Sequence, residues 1–334
     1  MLCLYEELDM TDNWTDVLNP DTPNPGYSGR KLDEYVWIPK PKTALREYRL
    51  NLKLCKDVQE ERGYFNDELV GEYAVEEGNI YDGKLEPEGY LEKYEEKDVS
   101  MKTYVSNIRM FIRIARFLGW ITVVPESDSK YLLTDRGEVL TQFRGEFPDT
   151  SGGLEEEKIV RRSFANLCFY SVNDDPDYWN LKFKTRIFLN MLSFIRDYNF
   201  AHHLELAVTA FTLKDERDPR ELEEKRNILD GLRSGELTLV DAFEMNDFPL
   251  DESTKNGVYD GPKVLLSFAR QLGLADSTYI SKMENSDEVY SIYEQEYETH
   301  PHAGTPRVVY QITAEGEQFL DKYMSRKKIW FDEL

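Results

Sequence analysis

Sulfur and imidazole are scarce in this 334-residue chain, which holds three cysteines and four histidines. Cys3, Cys55 and Cys168 stand far apart with no CxxC or Cys/His spacing, which excludes a disulfide framework or a zinc finger as the organising feature. Long apolar runs are also missing, so no segment has the length of a membrane span. The stretch MLCLYEELDMTDNW has neither a basic n-region nor an apolar h-region. These absences lead to the expectation of a reduced, cytoplasmic protein without a membrane partner. Positive charge is in short supply as well: 41 Lys and Arg stand against 64 Asp and Glu, a formal charge of -23. A field of that sign repels polyanions, so indiscriminate binding to phosphate is excluded and any nucleic-acid contact must be local. No Gly-rich phosphate loop, GxSxG elbow, HExxH or Cys/His nucleophile pair occurs.

What is present is a folding composition, 40% hydrophobic and 13% aromatic, with charge spread unevenly. Asn51–Ser100 carries 15 acids and 6 bases, whereas Met101–Gly145 carries 4 acids and 7 bases. Within the positive window, Ile108, Ile112, Ala115 and Leu118 fall on one helical face, and Arg109, Arg113 and Arg116 fall on another. Gly119 stops that helix. Ile121–Val124 and Lys130–Leu133, separated by the turn-forming PESDS, predict a short hairpin. Thr134 suits an N-cap, with Val139, Leu140 and Phe143 as the apolar face of the next helix. Helix, hairpin, helix is the latter half of a winged-helix unit. The stretches Thr43–Arg62 and Asn66–Ala74 supply its front half, and the acidic span GNIYDGKLEPEG is expected to be a loop.

The pattern recurs. With Ala115 laid on Ala269, Arg109 meets Lys263, Arg113 meets Ser267, Arg116 meets Arg270 and Gly119 meets Gly273; after the hairpin, Thr134 meets Thr313 and Gly137 meets Gly316. The second hairpin holds a long insert, SKMENSDEVYSIYEQEYETHPHAG. Between the repeats, KFKTRIFLNMLSFIRDY, HHLELAVTAF and PRELEEKRNILDGLRSG predict three helices that pack the winged units into a fixed relative orientation. The expected fold is therefore mainly α with small β-hairpins (α+β), with tandem winged-helix domains around a helical middle domain. The expected division is an N-terminal arm plus first winged domain over 1–150, the middle domain over 151–250, and the second winged domain over 251–334.

Other readings carry weight. Surface Arg and Lys at helical spacing usually form a solvated face, and winged-helix units also dock proteins. Pro148-Asp149 followed by Glu156-Glu157-Lys158 has the letters of a metal-nuclease motif, yet it lies in a Gly-rich linker running into a helix start, where acids favour the N-terminus. The pairs Pro20-Asp21 and Pro176-Asp177 are no better placed. His202-His203 beside Glu205, and His300 with His302, suit a helix cap and a turn more than a metal site. The acidic runs LEPEGYLEKYEEKD and YEQEYETHP could mimic DNA, but they can equally confine DNA to one basic channel.

The order RFLGW, YLLTDRGEVL, VRRSFANLCFYSVNDDPDYWNLKFKTRIFLNMLSFI, HHLELAVTAF and FARQLGL resembles the recognition part of type IIS restriction and nicking endonucleases of the AlwI type, over roughly residues 35 to 325. The resemblance implies recognition of double-stranded DNA at a short asymmetric site. It also implies a Mg2+-dependent nuclease domain with a PD-(D/E)xK set. No such active site is identifiable here, so cleavage is expected from a further domain or another subunit, and no catalytic residue, metal ligand or cofactor is assigned to this chain. The expected DNA-facing residues are Asn107, Arg109, Arg113 and Arg116 on one helix and Lys263, Ser267 and Arg270 on the other, with Lys102, Lys130, Arg136, Arg161 and Arg162 on phosphates. The alternative is a non-enzymatic winged-helix scaffold or regulator that binds a protein partner.

Overall fold

The computed structural model describes residues 45–76, 101–124, 127, 129–143, 148, 156–165, 167, 185–246, 252–279 and 308–324. The span GNIYDGKLEPEG, the hairpin insert with His300 and His302, the acidic runs, and the Pro20-Asp21 and Pro176-Asp177 pairs lie outside the described residues. Those described are mostly helical with two small antiparallel sheets of two strands each, as the sequence predicts. They form two compact units, dividing between Ile159 and Val160.

The first unit starts with α1 (Leu45–Arg62), whose buried Leu45, Tyr48, Leu52, Cys55 and Val58 recur at three- and four-residue steps. Asn66 then caps α2 (Asp67–Glu76), its Oδ1 accepting from the Leu69 amide at 2.8 Å. In α3 (Met101–Phe117) the core side is wide, with Ile108, Phe111, Ile112, Ile114 and Ala115 all buried. Tyr48 meets Phe111 and Trp120 edge-on, with centroids at 5.2 and 5.6 Å, so a single ring ties α1 to α3 and to the hairpin that follows. That hairpin pairs β1 (Ile121–Val123) with β2 (Tyr131–Leu133), and α4 (Asp135–Leu140) closes the unit.

The second unit takes the remainder of α5 (Glu156–Ala165), then α6 (Ile187–Asp197), α7 (His203–Val208), α8 (Pro219–Ser234), α9 (Leu239–Met245), α10 (Glu252–Gln271), β3 (Ala275–Tyr279), β4 (Val308–Ile312) and α11 (Ala314–Met324). Its core is a run of rings: Phe164 lies 5.0 Å from Phe188 and 5.1 Å from Phe268, and Phe188 meets Phe319 at 6.1 Å.

The duplication read in the sequence holds bond for bond. Gly119 and Gly273 both end their helices with positive φ, 70° and 69°, a conformation that costs other residues about 1–2 kcal/mol. Trp120 donates to the Ala115 carbonyl, and Leu274 to that of Ala269, at 2.8 Å each. The Ile121↔Leu133 pair of the first hairpin corresponds to Ala275↔Ile312 of the second. Thr134 Oγ1 donates to the Gly119 carbonyl at 2.8 Å and accepts from the Gly137 amide at 3.1 Å; Thr313 does the same to Gly273 and Gly316 at 2.6 and 3.0 Å. Gly137 and Gly316 are both required, because a Cβ would lie 2.1 Å from the carbonyl oxygen of Trp120 or Leu274.

The repeat also extends upstream, beyond what sequence comparison shows. Phe65 exchanges backbone bonds with Tyr131 at 3.0 and 2.8 Å, and Ala201 exchanges the corresponding bonds with Tyr310 at 2.9 Å each. Phe65 follows α1 and precedes α2, as Ala201 follows α6 and precedes α7. The helices at 187–197 and 203–208 are thus bonded into the second repeat, and α8 and α9 stand in sequence between its second and third helices.

Candidate nucleic-acid interface

In each repeat the residues of interest lie on the helix that runs directly into the hairpin, α3 in the first and α10 in the second. On α3, core packing leaves Ser106 and Arg109 exposed and holds Asn107, Arg113 and Arg116 half-buried. Arg109 Nε donates to Asp67 Oδ2 at 2.5 Å, so a carboxylate from the first turn of α2 already offsets its charge. Arg113 Nη1 points to Met110 Sδ at 3.9 Å. The Arg116 guanidinium lies 5.5 Å from the centroid of Tyr131, and burial pulls it down to about 10, partly opposed by the tyrosine. The three arginines share a helix side without forming one open stripe: Arg113 lies along its own helix toward Met110, and Arg116 turns to the hairpin tyrosine. Lys102 lies in the first turn of α3, and its side chain is outside the described residues.

The remaining first-unit cations sit around the hairpin. Lys130 is exposed, its Nζ 4.3 Å from the centroid of Tyr64, and Arg136 is half-buried in the first turn of α4. Glu156, at the start of α5, is buried and pairs with Arg49 at 3.1 Å, which gives this acid a packing role at a helix start.

On α10, Lys263 is half-buried and burial alone pulls its ammonium down to about 8, whereas Ser267 and Arg270 are exposed. Gln271, which sequence reasoning passed over, is exposed beside them; its Nε2 donates to the carbonyl and hydroxyl oxygens of Ser267 at 3.3 Å each. Its signal was its place directly after Arg270 on the repeated helix. Burial raises the Tyr310 hydroxyl, and the charge of Arg270 acts against that rise. Arg161 Nη2 donates to the Leu272 carbonyl at 2.7 Å and to Glu315 Oε2, which ties α5 to the end of α10 and uses the charge internally; Arg162 is half-buried on the same helix.

Two ion pairs of the second unit, one fully and one partly buried, were not anticipated. Arg186 and Glu216 meet at 2.7 Å; Glu216 also accepts from the Arg186 amide at 2.8 Å and from Asn190 Nδ2 at 2.5 Å, while Arg186 Nη1 donates to the Tyr323 carbonyl at 2.9 Å. The segment KFKTRIF was read as helix from its start, but α6 begins only after Arg186, which frees that side chain to reach across. Glu205 accepts from Arg233 Nε at 2.8 Å and from the His202 amide at 2.6 Å, completing a capping box in which His202 accepts from the Leu204 amide. His202 is thus the helix cap the sequence implied. Among the described residues, no three or more His, Cys, Asp or Glu are grouped to hold a metal ion, and no helix is long and apolar enough to cross a membrane.

No family model and no curated protein matches the chain. Among solved structures it is similar to the restriction endonuclease FokI bound to DNA, at 12% identity and a TM-score of 0.40, over 89% of this chain and 48% of that one. The chain therefore spans about half the length of that protein, and a likeness at this level does not establish a common fold.

Proposed function

We propose that this chain recognises double-stranded DNA at a short asymmetric site, as the target-recognition part of a type IIS-like restriction or nicking endonuclease whose nuclease domain or subunit supplies the cut. The observation that carries the reading is the duplicated unit: helix, bridging residue, helix, helix, hairpin, helix, joined by corresponding hydrogen bonds and ending on corresponding glycines and threonines. We read both copies as winged helices. In that arrangement the third helix enters the major groove, which admits one helix, and flanking cations meet phosphates. Asn107, Arg109, Arg113 and Arg116 on α3, and Lys263, Ser267 and Arg270 on α10, are the proposed groove-facing residues, with Lys102, Lys130, Arg136, Arg161 and Arg162 as phosphate contacts. Arg116, Arg161 and Arg109 would have to exchange the internal partners described above for DNA. Two different units give an asymmetric site without a two-fold partner. Mg2+ belongs to this reading only with a nuclease domain.

Those internal partners favour one other reading, a winged-helix scaffold or regulator that docks a protein, because a pairing such as Arg109–Asp67 leaves less charge for phosphate. Selection of duplexes from a randomised library by the purified chain at moderate salt separates the two. Enrichment of a short non-palindromic motif is the expected result; no enrichment transfers the reading to protein docking. Adding Mg2+ to the selected duplex then asks whether this chain cuts, and cutting would overturn the assignment of cleavage elsewhere.

A further inference from the structure

Laying the two units on each other shows that corresponding positions are not chemically equal. At the last turn of the third helix, the first unit has Arg113, Arg116 and Phe117, and the second has Ser267, Arg270 and Gln271. Both first-unit arginines are half-buried, and Arg116 is drawn over Tyr131. All three second-unit residues are exposed, and they occupy i, i+3 and i+4, so they form one ridge. The chemistry differs as well. Arginine and lysine only donate, which suits phosphate and guanine. A glutamine amide donates and accepts, so it can pair both adenine N6 and N7, and a serine hydroxyl adapts to either polarity. The exposed amide of Gln271 donates along the ridge to the carbonyl and hydroxyl oxygens of Ser267 at 3.3 Å each.

We infer that the two units divide the work: the second unit discriminates bases through the ridge Ser267, Arg270 and Gln271, with Gln271 a specificity-determining residue for adenine, while the groove-facing arginines of the first unit meet the phosphates that line the groove instead of the base edges. This rests on the DNA-recognition reading above. The second unit presents an exposed ridge that mixes donors and acceptors, whereas the first presents half-buried guanidiniums that only donate; the mixture can tell bases apart, and donors alone suffice for phosphate. A clamp needs only net charge within reach of a phosphate.

The test uses the full chain. The wild type, Gln271→Ala, Gln271→Glu, Arg270→Ala and Arg113→Ala are each taken through duplex selection, and their affinities for the selected and a scrambled duplex are measured at one salt concentration. Expected for Gln271→Ala is a loss of preference of about ten-fold at one A·T position, with affinity for the scrambled duplex unchanged. Gln271→Glu should shift the preferred base at that position, since it exchanges a donor for an acceptor. Arg113→Ala should weaken both duplexes by the same factor and leave the selected motif intact. Unchanged base preference in both Gln271 variants and in Arg270→Ala, or a rewritten motif in Arg113→Ala, overturns the division of work while DNA recognition stands. Failure of the wild type to select any motif removes the DNA reading and this inference together. Because Gln271 and Arg270 are exposed, loss of fold is not expected, and near-ultraviolet circular dichroism of each variant checks it.

Discussion

Arg186 and Glu216 have side chains 1% and 0% exposed, so their pairing is made wholly away from water. Removing one partner strands the other charge, a loss of about 3–5 kcal/mol in comparable cases. Glu216→Ala should therefore lower stability by about that amount in urea unfolding, and more than the pair Arg186→Met with Glu216→Gln, in which no charge is left buried. Lys263 makes a prediction about pH. Its folded value of about 8 lies below the ordinary 10.5, so below pH 8 both states hold the proton and the cost of burying the charge is fully present. Between pH 8 and 10.5 the folded state releases the proton while the unfolded state keeps it, so stability rises with pH, and above that it levels off. Lys263→Met should remove that rise, seen as a flatter denaturation midpoint across the window; a rise that persists would place its origin in another group.

At the scale of the element, the unit that recurs is a lock between a helix end and a hairpin. Its parts are a left-handed glycine, a threonine that bonds back to it, and a second glycine pressed against the carbonyl after the turn. Gly137→Ala and Gly316→Ala should each unfold their own unit at lower denaturant, because a Cβ 2.1 Å from a carbonyl oxygen cannot be accommodated without moving the backbone of helix or strand. Thr134→Val and Thr313→Val are milder, losing a cap worth about 1 kcal/mol. Similar losses in both units are expected, and a large loss in only one would show that the two locks, alike in geometry, differ in what they hold. Much of this was legible beforehand: Gly119, Thr134 and the strand limits follow from local turn and cap chemistry, which needs only neighbours in sequence. The bridges Phe65–Tyr131 and Ala201–Tyr310 were not, because a single backbone exchange with a distant strand leaves no periodic trace. Helix α9 was passed over as well, although Thr238 and Asp241 form a capping box at its start.

For the whole molecule, a formal charge of -23 sets the conditions under which DNA can be held. Affinity for the selected duplex should fall as salt rises, with a slope of about 0.9 per phosphate neutralised, and a shallow slope would agree with few contacts or with protein docking. Affinity for random duplex should be low at physiological salt, since the long-range field opposes it and only local contacts remain.

The sequence by itself determined the mainly α class, the two helix–hairpin–helix repeats, the helix stops and caps, and the identity of the basic residues on α3, since all of these are set by spacing and by local backbone chemistry. The tertiary structure decided which of the repeat's polar side chains are drawn to partners on another element. Arg109 meets an aspartate from α2, Arg116 is drawn over a hairpin tyrosine and Arg161 is tied to the end of α10, whereas Ser267, Arg270 and Gln271 stay at the surface. The physical reason is that exposure and ion pairing depend on the partner that another element brings into reach, and helical periodicity records a residue's own face but not what is packed against it.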